Sequence, residues 1–169
     1  MATITTGTMA TRASLFITND LTGGTPVFSD DSGVLAVTCI QDITMTNSTG
    51  VFSYTTFCSV DTEKLPAPAD NSISTNVVID DIVWFGADSG ATAGSAQAAG
   101  ISELANTKTK IGFRIYWNDR TGAGSTSKYT QGVGYITNLA PTTSPDSPIW
   151  VSPLEIAVSG GFTDAVGAI

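Results

Sequence analysis

Lys110-Ile111-Gly112-Phe113-Arg114-Ile115-Tyr116-Trp117 is the stretch on which the fold class turns. Ile111, Phe113, Ile115 and Trp117 alternate strictly with the residues between them, the two-residue period of a half-buried strand. Downstream, 118–127 is a Gly-containing loop and 129–139 reads as a second strand. After the Pro-rich loop 141–148, a strand over 149–158 closes the sheet, with Pro153 implying an edge, a bulge or a bend. Ser159-Gly160-Gly161-Phe162-Thr163 then turns outward into a tail.

Upstream, residues 87–110 break the strand pattern. Gly90, Gly94 and Gly100 punctuate an Ala-rich stretch in which Ala98, Ile101, Leu104 and Ala105 recur at helical spacing. Ser95 is a candidate cap, so one short helix is predicted over 95–106, weakened by about 1 kcal/mol through Gly100. Residues 75–85 form the longest strand candidate. Pro66 and Pro68 bar 64–70 from a central strand, because each removes a ladder donor, and the tract reads as an extended loop. Residues 51–60 read as a strand with Phe52, Tyr54 and Cys58 on one face, and 34–40 as a buried strand. Leu15-Phe16-Ile17 opens the series, ended by Asn19-Asp20 and Gly23-Gly24. Short strands separated by turns, with one helix, predict an all-β sandwich or barrel in a single domain over 1–169.

Composition points to a surface meant for burial. Charged residues are only 13% of the 169, whereas Thr (26) and Ser (17) are abundant. Thr suits a pleated sheet and costs less to desolvate than Lys or Glu. Such a face serves either subunit assembly or plain solvent exposure. The net charge is −8, with ten acids against Arg12 and Lys64 in residues 1–100 and five of each sign in 101–169. This imbalance excludes wrapping nucleic acid, which needs clustered cations, and suits a surface that does not hold a passing polyanion. The first eleven residues lack the basic and apolar regions of a signal peptide, and apolar runs such as 82–85 are too short to span a bilayer. The chain is expected to be made and folded in the cytoplasm.

Catalytic patterns are missing from the sequence. There is no His, which removes the usual activator of Ser and Cys nucleophiles and the commonest transition-metal ligand. Cys39 and Cys58 lie in apolar segments and are expected to be buried free thiols, with a disulfide between them as the alternative; their spacing does not make a zinc site. No phosphate-binding glycine loop occurs. Asp80 and Asp81, neighbours on the strand expected over 75–85, would point to opposite faces and so form no catalytic dyad. They are instead candidate channel or interface acids. Asp30-Asp31-Ser32-Gly33 reads as a turn, not a Ca²⁺ loop. Trp84, Trp117, Trp150, Tyr116, Tyr129 and Tyr135 admit a sugar-binding reading, but in strands such rings are ordinarily core or cross-strand partners. No catalytic residue, cofactor or metal is expected.

The second half carries an ordered set of motifs. A Gly/Ala-rich helix precedes the strand 110–117; then come Tyr129-Thr130-Gln131-Gly132-Val133-Gly134-Tyr135-Ile136-Thr137 and Leu154-Glu155-Ile156-Ala157-Val158-Ser159-Gly160. This order, over residues 75–165, resembles the major tail tube proteins of long-tailed (siphovirus-like) bacteriophages. The resemblance implies a β-sandwich with a flanking helix, forming hexameric rings that stack into a tube with an acidic channel for DNA ejection. It implies a long loop reaching the neighbouring ring, matched here by residues 62–73, with Asp61, Glu63, Lys64, Pro66, Pro68 and Asp70 as the candidate inter-ring residues. It implies a ring-docking N-terminus over about 1–12 and a location in the virion tail, assembled in the host cytoplasm. The implied partners are copies of the chain and other tail proteins such as tape measure and terminator. DNA is only non-specific cargo in the lumen, and no membrane is involved. A head decoration protein, a pilin-like protein or a carbohydrate-binding sandwich are the alternatives. Scarce lysine agrees with assembly: of four Lys, only Lys128 adjoins a strand start, so the sheet edges lack the usual guard.

Overall fold

The computed structural model describes residues 13–28, 32–37, 39–54, 62–117, 128–144 and 147–166. The chain opens with β1 (Ser14–Thr18), the small hairpin β2 (Leu21–Thr22) and β3 (Thr25–Pro26), and β4 (Leu35–Val37). Two long strands follow, β5 (Ile40–Tyr54) and β6 (Glu63–Val78), then the helices α1 (Asp81–Phe85) and α2 (Ala96–Asn106). The second half supplies β7 (Ile111–Tyr116), β8 (Lys128–Leu139), β9 (Thr142–Ser144), β10 (Ser147–Val158) and β11 (Thr163–Val166). The main sheet runs β4-β1-β7-β8-β10-β6-β5, with β11 on β8 and β9 on β10, all antiparallel. Among the described residues it remains open at β4 and β5 and does not close into a barrel.

The expected half-buried strand is buried on both faces. All six residues of β7 are buried. Ile111, Phe113 and Ile115 enter the main core with Leu15, Ile17, Ile73, Val77, Leu154 and Ile156, under Val83 of α1 and Ile101 and Leu104 of α2. Each such side chain contributes about 1.5–3 kcal/mol by leaving water. Tyr116 enters a second cluster with Phe16, Phe28 and Val34 on the opposite face. Arg114 lies there too, stacked between the rings of Phe28 and Tyr129 at 4.3 and 4.2 Å. It donates to Gln131 Oε1 (2.9 Å) and to the Tyr116 hydroxyl (3.3 Å). Its planar cation is thus held by π faces and neutral acceptors.

Several boundaries differ from expectation. The strand predicted over 34–40 is interrupted at Cys39, which has φ 59° and is exposed, not buried. Cys58 lies outside the described residues, as do 55–61 and the loop 118–127. The strand over 75–85 stops at Val78, and 81–85 turns into α1. A second helix therefore joins the expected one. Ser95 caps α2, its hydroxyl accepting from the Ala98 amide at 3.3 Å. Gly100 (φ 69°) kinks α2, and a methyl there would strike the backbone of Trp84, Phe85 and Gly86. The glycine that weakens the helix is what lets α1 lie against it.

β10 does not close the sheet but sits inside it, between β8 and β6. Pro153 opposes Asn76 on β6, and on its other edge it falls one residue beyond the β8 pairing, which begins at Leu154 opposite Leu139. The Ala140 amide next to this point donates to Ser152 Oγ instead. Proline costs no ladder bond where the neighbouring strand has already ended. Residues 163–166, expected as an outward tail, return as β11 along β8.

Candidate functional site

The long antiparallel pair β5–β6 makes the most unusual feature. Asn71–Val78 of β6 is flanked by β10 on one side and β5 on the other, but among the described residues 63–70 pairs with β5 alone. Those eight residues at about 3.4 Å each project a two-stranded arm roughly 25 Å beyond the sheet. The tract read as a loop is therefore a strand, and its prolines are accommodated. The 63–70 half has a free edge, and the register shifts between Thr49 and Val51, beside Pro66 and Pro68. Edges and bulges are the two places where a strand tolerates proline.

The arm is exposed and apolar. Phe52 (63% exposed) opposes Leu65 (53%), with Val51 and Tyr54 alongside, also exposed. Tyr54 donates to Glu63 directly across the pair, and this bond raises the phenol above its usual 10.0. An isolated two-stranded ribbon is marginally stable in water and gains little from an apolar side chain left wet. Glu63, Lys64, Pro66, Pro68 and Asp70, the candidates from sequence, all lie on this arm and are exposed; Asp61 lies outside the described residues.

Asp80 and Asp81 are not on a strand. Asp80 is the N-cap of α1, its carboxylate accepting from the Ile82 amide at 2.9 Å, and Asp81 is in the first turn. Both belong to the helical layer that covers the core. The opposite, open face of β5, β6, β10 and β8 presents a different pair, Asp42 and Glu155. Around them stand Thr44, Thr46, Ser72, Ser74, Asn76, Thr137 and Tyr135. Asp42 accepts from the Asn76 backbone amide (2.8 Å) and side chain (3.1 Å). No Lys or Arg of these four strands joins this face: Lys64 is out on the arm, and Lys128 is the first residue of β8, on the other parity. Among the described residues, the result is a sheet face of hydroxyls and acids without a cation.

Sequence reasoning missed Asp42 and Glu155 because each is a lone acid whose face depends on register. The alternating Thr44 and Thr46, and Ser72 and Ser74, were the available signal. The aromatic side chains singled out from sequence are dispersed: Tyr116 is in the core, Trp117 bonds Thr130 at 2.8 Å, Tyr135 is on the open face and Trp150 is at the start of β10.

Neither the family models nor the curated proteins contain a match to this chain. Solved structures do. A chain in the tail of an empty gene transfer agent particle, refined helically with C6 symmetry, superposes with a TM-score of 0.56 at 19% identity, covering 89% of this chain and 95% of that one. The tail tube of SPP1 gives 0.54 at 12%, covering 92% and 78%. The chain has the fold of a phage tail tube protein. A chain of the anti-feeding prophage baseplate, symmetrised sixfold, matches at 0.51 and 8% identity, covering 91% and 92%.

Proposed function

We propose that this chain is a structural subunit of a phage-type tail, forming hexameric rings that stack into a tube for DNA passage. The observation that carries the reading is the arm, which exposes Phe52, Leu65, Val51 and Tyr54 on a fold shared with tail and baseplate proteins of assemblies with sixfold symmetry. A ribbon of this composition is worth its ordering cost only when another subunit covers it. Of the expected 62–73 segment, the arm residues 63–70, with Glu63, Lys64, Pro66, Pro68 and Asp70, are thus the inter-ring element, whereas 71–73 are held inside the sheet between β10 and β5. The open face with Asp42 and Glu155 lines the channel, where hydroxyls and acids offer phosphates no cation to hold them. Asp80 and Asp81, in the helical layer, act at contacts between subunits and not in the channel. The chain acts without a catalytic step, in the virion tail, with copies of itself and other tail proteins as partners and DNA as non-specific cargo.

Electron microscopy of the purified, concentrated protein tests this reading. Rings or tubes with a central channel are expected; uniform monomers at every concentration would overturn it.

A further inference from the structure

The main sheet forks at one residue. β10 pairs with β6 as far as Val158 opposite Asn71, where that pairing ends. From there the residues 63–70 of β6 go with β5 as the arm. The chain after β10 stays on β8 instead: the Ser159 amide donates to the Val133 carbonyl at 2.8 Å, and β11 resumes the pairing with Thr163 opposite Gln131. Among the described residues, the two edges that border the fork, 63–70 of β6 and 163–166 of β11, do not pair with each other. Pro66 and Pro68 have no amide with which to close it. Asn71 stands at the fork. It ends the buried row of Val77, Thr75 and Ile73 and is itself only 4% exposed. Both ends of its carboxamide are used. Nδ2 donates to the Gly160 carbonyl at 2.9 Å, in the turn that leads to β11, and Oδ1 accepts from the Ser48 amide of β5 at 3.2 Å. One buried side chain thus holds both prongs. Past the turn, the Phe162 ring meets Phe113 edge-on and Thr130 donates to Asp164, which fastens β11 to the core and to β8.

We propose that Asn71 is a pin that couples the two prongs, so that the root of the arm and β11 hold or release together. When the turn at Gly160 lifts, the buried Nδ2 loses its acceptor. The carboxamide then turns toward water, since a buried donor left unpaired is costly, and Oδ1 gives up the Ser48 amide. Loosening the root acts through the same two bonds in reverse, because coupling between two sites is reciprocal. The pin belongs to the single subunit and stands apart from the tube reading. Whatever orders the arm also orders the C-terminal strand, although the two do not pair.

Hydrogen exchange followed by NMR in the free subunit tests the pin, with the β7 amides as the measure of global unfolding. Asp164→Ala together with Ala165→Pro breaks the hold of β11 on β8 without touching the arm. The Ser48 amide should then exchange about tenfold faster while β7 keeps its rates. Asn71→Asp keeps an acceptor for Ser48 but lacks the donor for Gly160. In that variant the β11 amides should quicken by about the same factor. Adding the two β11 substitutions to it should leave Ser48 where Asn71→Asp alone puts it. A Ser48 amide at its native rate in the β11 variant, or one that quickens only in step with β7, would overturn the pin. So would β11 amides unmoved by Asn71→Asp, or a Ser48 amide that responds to the β11 substitutions as strongly with Asp at 71 as with Asn. None of these outcomes bears on whether the chain forms tubes.

Discussion

Asp80 illustrates how one carboxylate can be read wrongly from its neighbours and rightly from its hydrogen bond. Its side chain caps α1 at 2.9 Å from the Ile82 amide, so Asp80→Ala should cost about 1 kcal/mol in urea unfolding, and Asp80→Asn much less. Equal losses from both variants would show that the cap does not matter. Arg114 is a sharper case. Arg114→Lys keeps the charge but loses the stacking on Phe28 and Tyr129 and the shared bonds to Gln131, so it should lower the thermal midpoint by several degrees. An unchanged midpoint would mean that the cation alone suffices. At the arm, the Tyr54 phenol titrates above 10.0 because its proton is held by Glu63. The bond therefore contributes below pH 10.0 and is lost as pH rises through the raised value. NMR titration of Tyr54 should show its midpoint falling toward 10.0 in Glu63→Gln; no movement would remove the bond as the cause.

At the scale of elements, β7 and the β5–β6 arm are opposites. β7 is wholly buried between two clusters, whereas among the described residues the arm is paired only to itself and carries its apolar groups in water. In the unassembled subunit, the amides of 51–54 and of Lys64, Leu65, Ala67 and Ala69 should exchange with deuterium orders of magnitude faster than those of β7. In tubes the arm should become protected. Arm amides as slow as the β7 amides in the free subunit would contradict the marginal stability of a bare ribbon. The elements also show where sequence reading holds. The alternation 111–117 located β7 correctly, but period alone does not tell one buried face from two, because Arg114 and Gly112 look polar or neutral on paper. Pro66 and Pro68 argued soundly against a central strand. The arm satisfies that argument, since its outer half has a free edge and a register shift.

For the molecule as a whole, the proposed channel role of the open face of β5, β6, β10 and β8 is open to a direct test. Thr44→Lys with Glu155→Lys places two cations across Ser74 on that face without touching the core. Tubes should still form, yet DNA should bind them in a salt-dependent way, with affinity falling as the salt rises. Normal tubes that remain indifferent to DNA would show that this face does not line the channel. The low charge content and the hydroxyl-rich surface fit the proposed tube, in which the surface outside the core meets other subunits or a polyanion.

The amino-acid sequence by itself determined the β-rich class, the cap at Ser95, the strand at 111–116 and the excess of acids, since these depend on local period, local hydrogen bonding and composition. Its ordered motifs also pointed to the tail tube fold that the superpositions bear out. Only the tertiary structure decided that 63–70 is an arm, that 81–85 is helical and that Asp42 and Glu155 share an open face. Each of these depends on which strand lies alongside and in what register. A shift of one residue would exchange the two faces of a strand, and no local signal in the chain records it.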